Sequence, residues 1–330
     1  MEMRRKFCLA TLLIGLGFLA PAGTLAAQNY PSRTITVVLP FAAGGPTDTI
    51  ARIITERMHS SLGQPVIVEN VPGAAGTTSI ARVVRAAPDG YTLSLGPSNS
   101  HVYAGAIQSL QFDTLKDLEP VALLATNPCL IVAKSAAPAK DLKELVAWVK
   151  ANQDKISAGT SGPGSGTHIA SLLFQNLTGT RFAAVSYRGA GPAMMDLVAG
   201  QIDVMFDQIS NSLSQVRGNQ IKAYAVMAAS RSPVAPDIPT VDEAGLPGFH
   251  MSIWHGLWAP KGTPPQVIER LTKAIVETLA DAEVKKRLAD IGQEVAPREM
   301  QSPAGLAAYH KAETEKWWPI IKAANIKPAQ

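Results

Sequence analysis

Short runs of β-branched and other apolar residues alternate along the chain with longer segments in which apolar residues recur at helical spacing. This alternation is typical of α/β proteins, in which mostly parallel sheets are flanked by helices. The predicted strands are 34–39, 66–71, 91–96, 121–126, 129–133, 156–159, 183–187, 204–207 and 223–228. The predicted helices are 50–62, 142–150, 167–177, 192–199, 265–279 and 304–323.

The length of the chain and two breaks in this pattern predict two lobes. At 330 residues the chain exceeds one typical domain. One strand passes directly into another near residues 126–128, and a stretch rich in proline and glycine covers residues 236–247. Because two breaks imply two crossings, we expect a discontinuous first lobe of residues 27–127 plus 248–330 and a second lobe of residues 128–247. A ligand-binding cleft is expected between them.

The first residues are typical of a secretory signal peptide. Three basic residues at positions 4–6 precede an apolar run at 7–20, which is too short for a comfortable membrane span. The small residues Thr24 and Ala26 fit a cleavage site. We therefore expect residues 1–26 to be removed and the mature chain to be released, with no anchor in the membrane.

Removal of that segment changes both the cysteine count and the charge. Cys8 would leave with it and Cys129 would remain, so an internal disulfide is excluded. The formal net charge would fall from +4 to +2, because three basic residues and Glu2 are lost. A nearly neutral chain without a basic stripe gives no support for nucleic-acid binding. No later segment approaches the length of a membrane span, so direct membrane insertion is not expected.

The stretch after the first predicted strand has the composition of an anion-binding loop. Residues 40–48 include Gly44 and Gly45, which can adopt positive φ and leave their N–H groups accessible. Thr47 or Asp48 is expected to cap the following helix, whose unpaired N–H groups and positive dipole end attract a carboxylate. An ordinary turn between a strand and a helix is the alternative interpretation.

A second loop repeats this arrangement in the middle of the chain. Residues 160–168 contain three glycines and the hydroxyl groups of Ser161, Ser165 and Thr167, between a predicted strand and an apolar helix. They predict a second set of N–H and O–H donors at the same cleft, with an ordinary turn between a strand and a helix again as the alternative. The loop does not bind a nucleotide, because no lysine follows its last glycine and the spacing differs from the dinucleotide fingerprint.

A third turn of this kind, residues 185–192, carries Tyr187 and Arg188. Tyr187 is suited to stacking on a ligand or to hydrogen bonding with it. Arg188 is either a carboxylate-binding residue or a solvated surface charge. Asp207 ends the strand 204–207 at the same predicted edge, and it either binds a ligand hydroxyl or amine or caps the next helix.

In combination, these motifs resemble the Bug-type periplasmic solute receptors of tripartite tricarboxylate transporters. The resemblance covers essentially the whole mature chain and rests on the order and spacing of the motifs. They lie at residues 40–48, 68–70, 88–93, 164–168, 187–189, 196–200, 239–245 and 254–260. The resemblance implies a two-lobed periplasmic binding protein of type II-like fold that closes on a small organic acid and presents it to membrane transporter subunits.

The resemblance also implies a ligand class and a set of contacts. Ligands of the family are mostly carboxylates, including di- and tricarboxylates, aromatic acids and amino acids. We expect a monomer that has no cofactor and catalyses no reaction. The ligand contacts that carry over to this chain are Phe41, Ala42, Gly44, Gly45, Thr47, Asp48, Ser98, Asn99, Ser161, Gly164, Ser165, Thr167, His168, Tyr187 and Asp207.

Two other functions compete with transport. A protein that presents its ligand to a sensor kinase would use the same cleft. A secreted hydrolase would need an activated serine, but neither Ser161 nor Ser165 lies in a Gly-x-Ser-x-Gly elbow. His250 and His255 also lack the spacing of metal ligands on a helix, so we predict neither a catalytic residue nor a metal site.

Overall fold

The computed structural model describes residues 30–323, and the predicted signal peptide lies outside that range. The strands β1 to β10 are Ile35–Leu39, Val66–Asn70, Thr92–Pro97, Leu118–Lys134, Ser157–Thr160, Ala183–Ser186, Val204–Gln208, Ile221–Val226, Ser252–Pro260 and Glu294–Val295. The α-helices α1 to α10 are Pro46–Leu62, Thr77–Val84, Ala104–Ile107, Leu142–Ala151, Gly166–Thr178, Ala190–Val198, Ile209–Arg217, Pro265–Ala280, Ala282–Asp290 and Pro303–Ala323.

The strands are hydrogen-bonded in the order β2-β1-β3-β9-β4-β7-β5-β6, with β8 and β10 also paired to β4. On one side of β4 the strands β2, β1 and β3 are parallel, and β9 runs antiparallel between β3 and β4. On the other side β7, β5 and β6 are parallel to one another. We call these sides the first and the second half-sheet. Helices pack against both, so the predicted α/β class with mostly parallel strands is confirmed.

The strand β4 joins the two half-sheets and differs from the sequence prediction. The predicted strands 121–126 and 129–133 are one continuous 17-residue strand, Leu118–Lys134. Its first part pairs with β9 as far as Pro128, and from Cys129 onward it pairs with β7. Asn127 and Pro128 interrupt the apolar run and resemble a turn, but Asn127 is buried and its side chain donates to the carbonyl of Gly292. A distant partner thus permits a polar residue inside the strand.

Large aromatic side chains fill the core of each half-sheet. The rings of His101 and Trp258 stack on the first, with centroids 3.9 Å apart, and Phe174 packs on Phe206 at 4.9 Å on the second. Burying such side chains stabilises the fold by about 1.5–3 kcal/mol each. The core therefore fixes β9 and β7, whose residues reach the candidate site.

Candidate functional site

The helix α1 begins at the end of the first predicted loop. Gly45 is its N-cap residue, and it has no side chain that could cap the first turn. The predicted capping by Thr47 or Asp48 is therefore wrong. Pro46, whose fixed φ suits the first helical position, places both residues inside the helix. Since the first N–H groups of a helix have no intrahelical acceptor, those of Thr47 and Asp48 remain available to a ligand.

The carboxylate of Asp48 organises this loop from within. It accepts hydrogen bonds from the backbone N–H of Gly44 at 3.1 Å, from Arg52 at 2.9 Å and from Asn70 at 3.1 Å. Burial alone would raise the pKa of Asp48, but these donors hold that pKa below its usual value. The loop therefore contains an anion that Arg52 neutralises, and the N–H group of Gly44 is already occupied.

Thr47 is held from the opposite side by a strand of the first half-sheet. Its hydroxyl lies 3.2 Å from Nε2 of His255, a fully buried residue of β9. Burial lowers the pKa of His255 to about 3, so the ring is neutral at ordinary pH. This contact orients the first turn of α1 without adding a charge to it.

The second loop satisfies most of its own donors. Ser165 is the N-cap of α5 and accepts from the N–H of His168 at 3.3 Å, so the predicted hydroxyl cap is confirmed. The N–H of Ser161 donates to Oγ1 of Thr167 at 2.8 Å, and that of Gly164 donates to Nδ1 of His168 at 3.0 Å. Burial lowers the pKa of His168, which keeps this nitrogen free to accept. The loop is consequently rigid, but it offers a ligand fewer donors than its composition indicates.

A small cavity lies where the first turn of α1 meets the second half-sheet. Its volume is about 10 Å³, roughly the space that one water molecule needs. The residues that line it are Phe41, Ala42, Gly45, Pro46, Thr47, Asp48, Asn99, Ser161, Ala190 and Gln208. Seven of the predicted contact residues are therefore brought together at one point.

The remaining predicted contacts do not line this cavity; they are Gly44, Ser98, Gly164, Ser165, Thr167, His168, Tyr187 and Asp207. The hydroxyl of Tyr187 donates to Asp196 at 2.7 Å. Asp207 accepts from Asn211 at 2.7 Å and from Ser212 at 2.8 Å. Burial raises the pKa of Asp207 to about 6. Both side chains are thus engaged with the helices of the second half-sheet.

Sequence reasoning missed Gln208, which is the last residue of β7 and the N-cap of α7. The predicted strand stops one residue earlier, at 207. The position of Gln208 could have identified it, because residues at the carboxyl ends of parallel strands face the ligand crevice of α/β proteins.

The loops of the two half-sheets touch through their backbones. The N–H of Ala42 donates to the carbonyl of Arg188 at 3.1 Å. A Cβ atom placed on Gly191 would lie only 3.0 Å from the carbonyl carbon and oxygen of Gly44. The side chain of Arg188 is exposed, which agrees with its interpretation as a solvated charge. The two loops are therefore in direct contact in this structure.

A larger groove lies away from all predicted contacts. It has a volume of about 840 Å³ and is lined mainly by α8, together with Lys261, Arg298 and Pro303. We do not take this groove as the ligand site, although it is larger, because neither of the two predicted glycine-rich loops contributes a helix N-terminus to it.

Among residues 30–323 no cluster of three or more His, Cys, Asp or Glu side chains has the arrangement of a metal site. Within the same residues no helix is long and apolar enough to cross a bilayer.

Comparison with known proteins gives concordant results. The family model described as "Tripartite tricarboxylate transporter family receptor" matches residues 50–326. The structure of the periplasmic binding protein BugD is 38% identical with a TM-score of 0.88, covering 91% of this chain and 100% of BugD. MatC from Rhodopseudomonas palustris, solved with bound malate, is 42% identical with a TM-score of 0.86, covering 88% of this chain and 100% of MatC.

A further R. palustris protein, solved with adipate, is 29% identical with a TM-score of 0.86, and the match covers 91% of this chain and 100% of that protein. These proteins are ligand-binding receptors, not enzymes. The family match covers most of the chain, and the two-lobed fold is shared with these structures. The chain therefore belongs to the receptors of the tripartite tricarboxylate transporter family.

Proposed function

We propose that this protein binds a small dicarboxylate and delivers it to the membrane subunits of a tripartite tricarboxylate transporter. The observation that carries the proposal is the unpaired N-terminus of α1 at the cavity between the half-sheets. The free N–H groups of Thr47 and Asp48 and the positive end of the helix dipole favour an anion there. Asn99 and Ser161 are the proposed side-chain contacts nearby.

The ligand class follows from charge and from the relatives. The side chain of Asp48 is already paired with Arg52, so a ligand carboxylate at α1 is held by neutral donors and the helix end. Hydrogen bonds to charged groups contribute about 1.5–3 kcal/mol each, so a few of them support micromolar binding. Malate in MatC and adipate in the second R. palustris protein support a dicarboxylate.

We further propose that binding proceeds by closure of two lobes, residues 27–127 plus 248–330 and residues 128–247. The backbones of the loops around Ala42 and Gly191 are in contact, so these loops must part for a dicarboxylate to enter and approach again afterwards. Closure excludes water and thereby strengthens the electrostatic attraction between the ligand and the N–H groups.

The cellular setting of the proposal is the periplasm. Relatives of this chain are periplasmic receptors, and the charged and apolar pattern of residues 1–26 supports export followed by cleavage. Intact mass measurement of protein purified from the periplasm tests this, since cleavage after Ala26 gives a chain that begins at Ala27.

A thermal-shift screen tests the binding function. Mature protein is freed of ligand by unfolding and refolding, and is then heated with succinate, malate, adipate, citrate or aspartate. A ligand that binds the folded state raises the melting temperature in a concentration-dependent way. The diamide of the best ligand is the matched control, because it keeps the size but lacks the charge. Absence of a shift with every carboxylate, or an equal shift with the diamide, would contradict the proposal.

A further inference from the structure

Two carboxamide side chains at the cavity have oxygen atoms without hydrogen-bond partners. Asn99 is 3% exposed and Gln208 is 4% exposed. Among the described residues, neither Oδ1 of Asn99 nor Oε1 of Gln208 accepts a hydrogen bond. Most buried polar atoms in proteins are paired, so two unpaired oxygens beside one cavity require an explanation.

The two side chains approach the cavity from opposite half-sheets. Asn99 follows β3 at the start of the π-helical turn Asn99–Tyr103, and Gln208 ends β7. Oδ1 of Asn99 packs so closely on Gly166, the first residue of α5, that a Cβ atom there would overlap with it. Gln208 is itself the N-cap of α7. The positive end of a helix favours the oxygen of each amide over its NH₂ group at that position.

The chemistry of the missing partner follows from these oxygens. A carboxamide oxygen only accepts hydrogen bonds, and an ionised carboxylate also only accepts them. An alkyl dicarboxylate therefore leaves both oxygens unpaired after the cleft has closed. A ligand with a hydroxyl or ammonium group between its carboxylates supplies the donor that they lack.

We infer that Asn99 and Gln208 recognise a hydrogen-bond donor on the ligand, so that this receptor selects a 2-hydroxy- or 2-aminodicarboxylate over the unsubstituted dicarboxylate of the same length. The inference rests on the proposed binding function and extends it to ligand selectivity. A site built to pair with a ligand O–H or N–H discriminates strongly against the analogue without that group, because its own polar atoms then remain unpaired.

Titration calorimetry with three C4 acids tests the inference. Malate, aspartate and succinate share a carbon chain and differ at C2, where they carry a hydroxyl, an ammonium and hydrogen respectively. The wild-type protein is expected to bind malate or aspartate at least about tenfold more tightly than succinate. Which of the two binds identifies the donor as hydroxyl or ammonium.

Two variants remove the acceptor oxygens while keeping a side chain of similar length. Gln208→Met and Asn99→Leu are each expected to reduce the preference over succinate to less than about threefold, because malate or aspartate then binds more weakly relative to succinate. Gln215→Met is the control, because Gln215 lies on α7 outside the cavity lining, and its selectivity should be unchanged. Melting temperatures identify a variant that has failed to fold, in which case the other variant decides.

The outcomes separate this inference from the proposed function. Equal binding of succinate, malate and aspartate by the wild type, or an undiminished preference in Gln208→Met and Asn99→Leu, would overturn the inference while leaving a carboxylate receptor. Absence of binding by any carboxylate would overturn the proposed function, and the selectivity with it.

Discussion

Replacing Gly191 by Ala should prevent tight closure of the cleft without damaging the fold. The new Cβ atom would lie 3.0 Å from the carbonyl carbon and oxygen of Gly44 and 3.1 Å from the nitrogen of Gly45. All three neighbours are backbone atoms, so no side-chain rotation can relieve the contact. Ordinary contacts begin near 3.4 Å, and the loops would have to separate by about 0.4 Å.

The magnitude follows from the rigidity of the two loops. Overpacking of this kind costs about 1–3 kcal/mol, and here the cost falls on the closed state alone. If ligand binding requires closure, the dissociation constant rises by about 5- to 150-fold, since 1.4 kcal/mol corresponds to a factor of ten. Gly191 lies in the first turn of α6, where alanine favours the helix over glycine, so the unliganded protein should be no less stable.

Calorimetry measures the affinity and thermal unfolding measures the stability of the unliganded protein. Gly218→Ala is the matched control, because Gly218 has φ near −80° and lies at the end of α7, away from the loop contact. It should bind like the wild type. Wild-type affinity in Gly191→Ala would show that Gly44 and Gly191 do not meet in the liganded form, and weaker binding with a lower melting temperature would indicate damage to the fold.

Three further predictions concern buried polar groups. Burial raises the pKa of Asp207 to about 6, so the folded state retains a proton that the unfolded state loses near pH 4, and stability falls as the pH rises from about 4 to 6. Asp207→Asn should remove this fall in urea unfolding measured across that range. Arg52→Met should lower the free energy of unfolding by about 1–2 kcal/mol at pH 7. The difference should shrink in strong acid, where Asp48, whose pKa is held below its usual value, becomes protonated. A constant difference would exclude their pairing as the cause. Asn127→Ala should cost about 1–3 kcal/mol because it leaves the carbonyl of Gly292 without its donor, and unchanged chemical stability would refute this role.

Local sequence patterns predict much of the fold because strand and helix periodicity reflect burial on the half-sheets, but the predicted elements leave out β9, β10 and the helices α2, α3, α7 and α9. The patterns also fail where a residue far away in the sequence pairs with a polar group inside a strand. Asn127 looks like a strand end, yet its carboxamide reaches Gly292, 165 positions away, and lies 3.4 Å from the backbone N of Ser210. No local pattern contains these partners, so the continuity of β4 could not be read from residues 121–133 alone.

For the candidate site, too, the sequence predicts where a loop lies but not which partners its groups find in the fold. Glycine content and the position after a strand predict the loop at 40–48, but they do not tell which N–H groups stay unpaired. Asp48 looks like a cap residue, and in the fold its carboxylate occupies the N–H of Gly44 and is neutralised by Arg52. Gln208 was missed because the predicted strand ends at residue 207, and a neutral polar residue type gives no indication of binding apart from its position at a strand end.

The two half-sheets consequently contribute to binding in different ways. In the proposed binding mode, the N-terminus of α1 on the first half-sheet holds an anion through backbone groups that no side-chain substitution removes. On the second, Thr167 and His168 already occupy the N–H groups of Ser161 and Gly164, so the loop is preorganised but has few donors left. Selectivity on that side must then come from side chains at the cavity, Gln208 above all. We therefore expect substitutions there to exchange one carboxylate for another while binding itself persists, since the rigid loops reduce the entropy lost in closure whichever acid is bound.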